Sequence, residues 1–146
     1  MLRYWNRADA TAETITQDGW LRTGDIATID EEGFVYIQDR IKDMIISGGE
    51  NVYPAEIENV ILTHPFVSEV AVIGQPSERW GESPLAVVVK ADKQLTEEMT
   101  LEHCNGKLAR FKLPKAAVFI DEIPRNANGK VLKRLLREEF PGPAAI

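Results

Sequence analysis

Residues 44–61 change their apolar pattern twice over a short distance. The segments 44–46, Met-Ile-Ile, and 51–53, Asn-Val-Tyr, predict two short strands, and the turn 47–50 between them contains two glycines. Pro54 follows directly, at the first-turn position of a helix, where its missing N–H costs nothing. The apolar residues beyond it recur at helical spacing. A strand pair that leads straight into a helix indicates a small α+β domain.

The later periodic segments continue this mixture of strands and helices. Apolar runs predict strands at 67–74, 83–90 and 115–121, and apolar stripes predict helices at 96–108, capped by Thr96, and at 131–140. The dipeptide Gln75-Pro76 is expected to end the first of these strands. The basic residues of the last helix are expected to face solvent: Lys133, Arg134 and Arg137. The sequence therefore predicts a β-hairpin and a small mixed sheet with flanking helices.

The first 39 residues have a different character. Residues 20–29 and 33–38 predict two strands around the turn 30–33, whereas residues 1–19 show little apolar periodicity. Three large aromatic side chains here have no obvious local partners: Tyr4, Trp5 and Trp20. Either they cap a core of this chain, or the segment belongs to, or docks on, something larger.

Composition excludes several classes of protein. The chain has 146 residues and is 44% hydrophobic and 27% charged, which is the balance of an ordinary globular protein. Its single cysteine cannot form an internal disulfide. No apolar run reaches the roughly 18 residues of a membrane helix, and the N-terminus lacks an apolar signal region. We therefore expect a cytoplasmic protein without a membrane span.

The charge of the chain is unevenly distributed. The formal net charge is −6, yet residues 105–146 carry nine basic and four acidic side chains. An acidic protein is a poor general binder of nucleic acid, because that binding depends on many phosphate contacts. A basic end suits a smaller anion, such as a nucleotide or a phosphorylated cofactor. The alternative is an ordinary solvated helix face.

Two early motifs contain residues suited to binding a ligand. Asp25 follows a Thr-Gly turn and can offer two acceptor oxygens to a vicinal diol such as ribose; a turn-stabilising aspartate is the alternative. In the run 39–58, Arg40 carries a planar donor fork suited to phosphate or carboxylate. Gly48 and Gly49 let a backbone approach a ligand closely, although a tight hairpin turn requires such residues as well.

The motif at 124–130, PRNANGK, presents one lysine on a loop of small, turn-forming residues. Lys130 is there well placed to reach an anion, the alternative being a solvated charge. The motif lacks the leading glycine and the following Ser or Thr of a phosphate-loop NTPase, so that class is excluded. The only imidazoles, His64 and His103, are expected to lie apart, and Cys104 is expected in the core, so no metal site is predicted.

Taken in order, three motifs resemble the adenylate-forming superfamily, which includes acyl- and aryl-CoA synthetases, peptide-synthetase adenylation domains and firefly-type luciferase. They are TGD (23–25), DRIKDMIISGGENVYPAEIE (39–58) and PRNANGK (124–130). The resemblance extends over about residues 4–140 and is nearest to fatty-acyl or aryl-acid CoA ligases. It implies that 1–39 is the incomplete tail of a large N-terminal domain, 40–42 a hinge, and 43–146 a small mobile C-terminal lid domain.

The resemblance also implies roles for individual residues in a first half-reaction. Asp25 would bind the ribose hydroxyls of the nucleotide, and Arg40 would contact its ribose or phosphate region. Lys42 matches the hinge position. Lys130 matches the catalytic lysine that bridges the carboxylate substrate and the α-phosphate of ATP.

A second set of residues would serve thioester formation. By the same resemblance, Gly48, Gly49 and Glu50 would line the tunnel for the pantetheine arm of CoA, and Trp80 would lie beside it. An ordinary surface-loop aromatic is the alternative for Trp80. Nearby basic residues would meet the phosphates of CoA: Arg110, Lys112 and Lys115.

The implied function is that of an AMP-forming carboxylic acid–CoA ligase, which uses ATP, with Mg²⁺ accompanying the nucleotide, and then CoA. The ATP-phosphate loop, the acyl pocket and the adenine-stacking aromatic of the superfamily have no counterpart in this sequence, so activity is expected to require the large N-terminal domain. In isolation, residues 1–39 are expected to be loose or to pair with a second copy in a strand-swapped oligomer. A free-standing, non-catalytic binding or regulatory module is the alternative.

Overall fold

The computed structural model describes residues 2–142, so position 1 and positions 143–146 of the predicted segments lie outside the described residues. The chain divides into two compact units, one ending at Lys42 and the other beginning at Asp43. A single 3-10 turn, Ile41–Asp43, contains the point of division. No helix in the described part of the chain is long and apolar enough to cross a membrane.

The first unit consists of a short helix and a β-hairpin. Helix α1 is Ala8–Thr14, and the antiparallel strands are β1, Asp25–Ile29, and β2, Val35–Arg40. At the turn, the Asp30 carboxylate accepts hydrogen bonds from the backbone N–H of Glu32 and of Phe34. The predicted hairpin is confirmed, although β1 begins five residues later than expected.

Helix α1 was not anticipated from the sequence. It is only seven residues long and none of them is buried. A helix that buries no face needs no apolar stripe, so residues 1–19 carry no periodic signal.

The first unit has no buried core. None of residues 2–42 is buried, and Trp5, Trp20 and Ile37 are 84%, 74% and 70% exposed. Tyr4, Trp5 and Trp20 therefore do not cap a core within this unit. Apolar side chains are exposed on both strands of the hairpin, as at Ile29 and Ile37, which is typical of a segment that completes its core against other residues.

The second unit contains a five-stranded sheet. Its strands are β3, Ile45–Ser47; β4, Glu50–Val52; β5, Val67–Ser77; β6, Gly81–Lys90; and β7, Ala116–Phe119. The order is β4-β3-β6-β5, and β7 pairs with β6 as well. The pair β6–β7 is parallel and all the others are antiparallel. This is the small mixed sheet that the sequence predicts.

Three helices cover the sheet: α2, Pro54–Leu62; α3, Glu97–Cys104; and α4, Lys133–Glu139. Alternate residues of β6 enter two separate apolar clusters. Ala86 and Val88 join the cluster that contains α2 and Cys104 of α3, whereas Leu85 and Val87 join the one that contains α4. The continuous apolar run of β6 is therefore explained by burial on both faces. The predicted α+β class is confirmed.

The ends of β5 and α3 differ from the predicted ones. Strand β5 continues through Gln75-Pro76 to Ser77, because β5 pairs only with β6 and an edge strand tolerates a proline that cannot donate. Helix α3 is capped as predicted by the Thr96 hydroxyl, which accepts from the Met99 N–H at 3.2 Å. It ends at Cys104 rather than 108, and Gly106 follows at φ +74°.

The prediction that the basic residues of α4 face solvent is wrong for two of the three. Lys133 Nζ lies 2.7 Å from Glu58 Oε1 with both side chains largely buried, and Arg137 donates to Asp43 Oδ1 at 2.9 Å. Only Arg134 lies on the exposed face, where it pairs with Glu138 one turn on. Two of the basic residues near the C-terminus thus form ion pairs that join α4 to α2 and to Asp43, the first residue of the second unit.

Candidate functional site

Lys130 lies at the end of a tight, hydrogen-bonded turn. The Asn126 N–H donates to the Lys130 carbonyl at 2.9 Å, and the Asn126 side-chain oxygen accepts from the N–H groups of Asn128 and Lys130. Gly129 has φ +79°, a conformation that favours glycine. Lys130 itself is exposed. The turn therefore fixes the backbone of Lys130 and leaves its side chain free to reach outward.

Asp25 and Arg40 form an ion pair in the first unit. They face each other across the β1–β2 hairpin, and Arg40 Nε lies 2.7 Å from Asp25 Oδ1. The side chains of Asp25 and Arg40 are 25% and 44% exposed. The register of the hairpin thus brings together the two residues predicted to bind a nucleotide, and it leaves part of each accessible.

Lys42 is the last residue of the first unit, and its side chain is exposed. The residues on either side are held within their own units. The Ile41 N–H donates to the Gly24 carbonyl at 2.9 Å, and the Asp43 carboxylate accepts from Arg137 at 2.9 Å. Lys42 is therefore the residue between two separately anchored neighbours.

The glycine turn between β3 and β4 packs on Trp80. The Gly48 N–H donates to the Trp80 carbonyl at 2.8 Å, and the φ angles of Gly48 and Gly49 are +62° and +87°. A Cβ at Gly48 would lie 2.9 Å from Trp80 Cε3, whereas one at Gly49 would meet nothing within 4 Å. Gly48 is thus required both for its conformation and for its contact, and Gly49 for its conformation alone.

A cavity of about 690 Å³ opens beside this turn. Gly48, Glu50 and Trp80 contribute to its wall, and Gly49 does not. The other lining residues are Ser47, Arg79, Arg110, Phe111 and Lys115. Three cations thus face one carboxylate, and the Arg79 guanidinium lies 4.6 Å from the centre of the Trp80 ring. The wall combines aromatic surface with positive charge, a combination suited to an aromatic or apolar ligand with phosphate groups.

Two residues that the sequence did not single out line the cavity, and one basic residue that was expected there does not. Arg79 and Phe111 line the cavity, and their only sequence signals are that each adjoins an aromatic or basic residue already noted. Lys112 is turned away, because its ammonium group lies 2.6 Å from Glu56 Oε2. Lys112 therefore does not join Arg110 and Lys115 in the wall.

The expectation that the two histidines lie apart is wrong. The rings of His64 and His103 meet edge to face with their centres 4.9 Å apart, and His103 Nε2 lies 2.8 Å from the Thr63 hydroxyl. Burial, together with Lys107 and His64, lowers the pKa of His103. Among residues 2–142, no group of three or more His, Cys, Asp or Glu side chains is placed to hold a metal ion. The pair is a packing contact between α3 and the segment just after α2, which sequence spacing does not reveal.

Cys104 is fully buried in the core, as predicted, and burial raises the pKa of its thiol. Raising the pKa lowers the thiolate fraction at neutral pH. Cys104 is therefore a core residue rather than a nucleophile.

Two glycine substitutions should distinguish the cost of a side chain at positive φ from the cost of overlap with Trp80. Gly48→Ala is expected to destabilise the protein by about 2–4 kcal/mol, because the strain of a positive φ adds to the overlap with Trp80. Gly49→Ala carries only the strain and should cost about 1–2 kcal/mol. Urea unfolding measures both. The indole N–H resonance of Trp80, identified by its loss in Trp80→Phe, should shift only in Gly48→Ala; an equal shift in both variants would contradict the contact.

Comparison with known proteins identifies the family. Residues 56–130 match the model of the AMP-binding enzyme C-terminal domain. The chain belongs to this family. The match begins in α2 and ends at Lys130, so it includes most of the sheet and the whole PRNANGK turn. The resemblance to adenylate-forming enzymes is thereby confirmed.

Curated and solved relatives of this AMP-binding C-terminal domain are much longer proteins. A long-chain-fatty-acid–CoA ligase of Mycobacterium tuberculosis, FadD13, is 58% identical over 137 residues, which are 94% of this chain and 27% of the relative. A 2-succinylbenzoate–CoA ligase of Bacillus cereus is 56% identical over 92% of this chain and 28% of its own length. The ATP-bound structure of MatB from Rhodopseudomonas palustris matches with a TM-score of 0.88 at 45% identity, over 95% of this chain and 28% of MatB. The chain thus spans little more than a quarter of each relative.

Proposed function

We propose that residues 1–146 are the C-terminal part of an AMP-forming carboxylic acid–CoA ligase. Such an enzyme joins an acid to AMP with loss of pyrophosphate and then transfers the acyl group to the thiol of CoA. The observation that carries this proposal is the match to the AMP-binding C-terminal domain, which ends on an exposed lysine held by a rigid turn. The named relatives act on a long-chain fatty acid and on 2-succinylbenzoate, so the substrate class is a fatty or aryl carboxylic acid.

In the first half-reaction, Lys130 is proposed to stabilise developing charge. A carboxylate attacks the α-phosphate of ATP, so two anions must approach each other, and a cation that contacts both lowers the barrier. The exposed Lys130 ammonium group on its long flexible stem is suited to this task. The Asp25–Arg40 pair would hold the nucleotide, with the free Asp25 oxygen available to ribose hydroxyls.

Magnesium is proposed to enter with the phosphates of ATP rather than on a site of this chain. Mg²⁺ prefers oxygen ligands and usually keeps waters and substrate phosphates among them. The described residues offer no cluster of three side chains that could hold a metal ion. The chemistry supplied by the ion would be neutralisation of the pyrophosphate leaving group, and the ligands for it would lie on the ATP and the large domain.

In the second half-reaction, the cavity beside the glycine turn is proposed to receive CoA. The turn at Gly48 lets the backbone approach the narrow pantetheine arm. Arg110 and Lys115 on the cavity wall suit the phosphates, and Arg79 adds a third positive charge. Trp80 and Phe111 give the cavity the aromatic surface that an adenine ring can stack on.

The two half-reactions are proposed to use the second unit in two orientations, with Lys42 as the hinge. Separate anchoring of Ile41 and Asp43 leaves Lys42 as the position at which backbone angles can change. The coreless first unit is proposed to complete its packing against the large N-terminal domain. A free-standing module is not favoured, because each relative named above is several times longer than this chain.

The proposal is tested on the complete polypeptide that contains residues 1–146. ATP–pyrophosphate exchange should depend on an added fatty or aryl acid, and addition of CoA should then give a thioester and AMP in equal amounts. Release of ADP and phosphate instead of AMP and pyrophosphate would contradict the proposal, as would exchange that no carboxylic acid stimulates. A complete polypeptide of only 146 residues that lacks both activities would instead support the binding module.

A further inference from the structure

We propose that Arg125, braced by Glu69, is a positioning residue for Lys130. The inference rests on the proposed function, because it assigns to Arg125 the task of holding the turn from which Lys130 reaches the reacting groups. It does not require Arg125 to touch a substrate.

The Arg125 guanidinium joins the turn to the sheet. Nη1 donates to the Gly129 carbonyl at 2.9 Å, and Nη2 lies 2.5 Å from Glu69 Oε2. Glu69 belongs to β5, which pairs with β6 along nearly its whole length. One side chain therefore connects the Lys130 turn to the most extensively paired part of the fold.

This contact acts on the peptide group of Lys130 itself. The Gly129 carbonyl and the Lys130 N–H are the two polar ends of one peptide unit. Arg125 binds the carbonyl end at 2.9 Å, and the Asn126 side-chain oxygen binds the N–H end at 2.9 Å. With both ends held, the peptide plane from which the Lys130 side chain departs is fixed.

Such a restraint is needed because Gly129 precedes Lys130. Glycine populates several backbone conformations at similar energy, so without these two hydrogen bonds the peptide unit between Gly129 and Lys130 would be the flexible point of the turn. Small misplacements of a catalytic group lower rates strongly. A planar guanidinium can bind a carbonyl and a carboxylate at once, whereas a lysine at 125 presents a single ammonium group.

The first experiment measures the turn independently of catalysis. Five N–H groups of the turn and its exit donate hydrogen bonds within 124–132: those of Asn126, Asn128, Gly129, Lys130 and Leu132. In the complete enzyme, hydrogen exchange of the peptide 124–132, followed by mass spectrometry, should quicken about tenfold in Arg125→Gln and in Glu69→Gln. It should stay as in wild type in the control Arg134→Gln, which removes an exposed ion pair of α4. Unchanged exchange in both test variants would overturn the proposal.

The second experiment measures catalysis. Arg125→Lys and Arg125→Gln should lower kcat of ATP–pyrophosphate exchange about tenfold and leave KM for ATP within about twofold, because geometry rather than binding is lost. Thioester formation from supplied acyl-adenylate should be unchanged. The melting temperature should stay near that of wild type, since Arg125 and Glu69 are 42% and 39% exposed and surface pairs contribute little.

The outcomes distinguish this inference from the proposed function. Equal loss in both half-reactions, or normal adenylation in a variant whose turn exchanges faster, would overturn positioning by Arg125. The parallel variant Lys130→Ala tests the proposed function alone. If it keeps full adenylation, the role of Lys130 fails, and with it the catalytic part of the inference, whatever the exchange of the turn.

Discussion

Replacing Lys130 with alanine in the complete enzyme is expected to lower the rate of acyl-adenylate formation by about 100- to 1,000-fold. That is the range for loss of one group that stabilises charge in a transition state. Lys130 is exposed and is fixed only through its backbone, so removal of its side chain should leave the fold intact. ATP–pyrophosphate exchange measures the loss, and circular dichroism checks the fold.

The specificity of this effect is tested by the second half-reaction. Thioester formation from supplied acyl-adenylate should be nearly normal in Lys130→Ala, because the cavity beside Gly48 does not include Lys130. The matched control is Lys93→Ala, which also removes an exposed lysine side chain and lies outside the proposed sites. A similar loss of adenylation in the control would mean that overall charge, and not position, matters.

Replacing Lys42 with proline is expected to give the reverse pattern. Proline fixes φ near −65° and restricts the residue before it, so it removes the backbone freedom that a hinge needs. Adenylation should stay within about twofold of wild type, whereas thioester formation should slow at least about tenfold. Single-turnover measurement of each half-reaction separates the two rates.

Lys42→Ala is the matched control, because it removes the same side chain and keeps the backbone free. It should form thioester at nearly the normal rate. Equal loss of both half-reactions in Lys42→Pro would falsify the hinge. If thioester formation is slow in Lys42→Ala as well, the loss of the Lys42 ammonium group, and not the restriction of the backbone, explains the effect.

The elements of the second unit could be predicted because local patterns decide them. Pro54 and the apolar spacing after it place α2, the glycine pair places the β3–β4 turn, and the run 83–90 marks a strand buried on both faces. Each of these signals operates over fewer than a dozen positions. Because these local signals agree with one another, the α+β class could be predicted from the sequence.

Contacts between distant positions could not be predicted in the same way. Arg125 meets Glu69 across 56 positions, and Lys133 meets Glu58 across 75. A basic residue on a helix shows the same pattern whether it faces water or a carboxylate on another element, so periodicity cannot assign its partner. The same reason hid the contact between His64 and His103, which depends on how α2 and α3 pack.

The candidate site was predictable where it lies within one motif. Lys130 and its turn are contiguous, and Asp25 faces Arg40 through a hairpin whose turn is evident from the sequence. The cavity draws on segments near 48, 80, 110 and 115, and how these segments meet emerges only from the tertiary fold. Resemblance supplied Gly48, Glu50, Trp80, Arg110 and Lys115, and the structure added Arg79 and Phe111.

The long β5–β6 hairpin sets a distance between the two proposed reactions. Glu69, which braces the Lys130 turn, and Ser77, at the end of β5 nearest Trp80, lie eight residues apart on one strand. At about 3.3 Å per residue, that separation is on the order of 25 Å. An acyl-adenylate held at one point of the proposed large domain could not contact both ends of so long a strand pair at the same time. On the proposed function, the second unit would present one end and then the other, and the need for two orientations would follow from the length of a single hairpin.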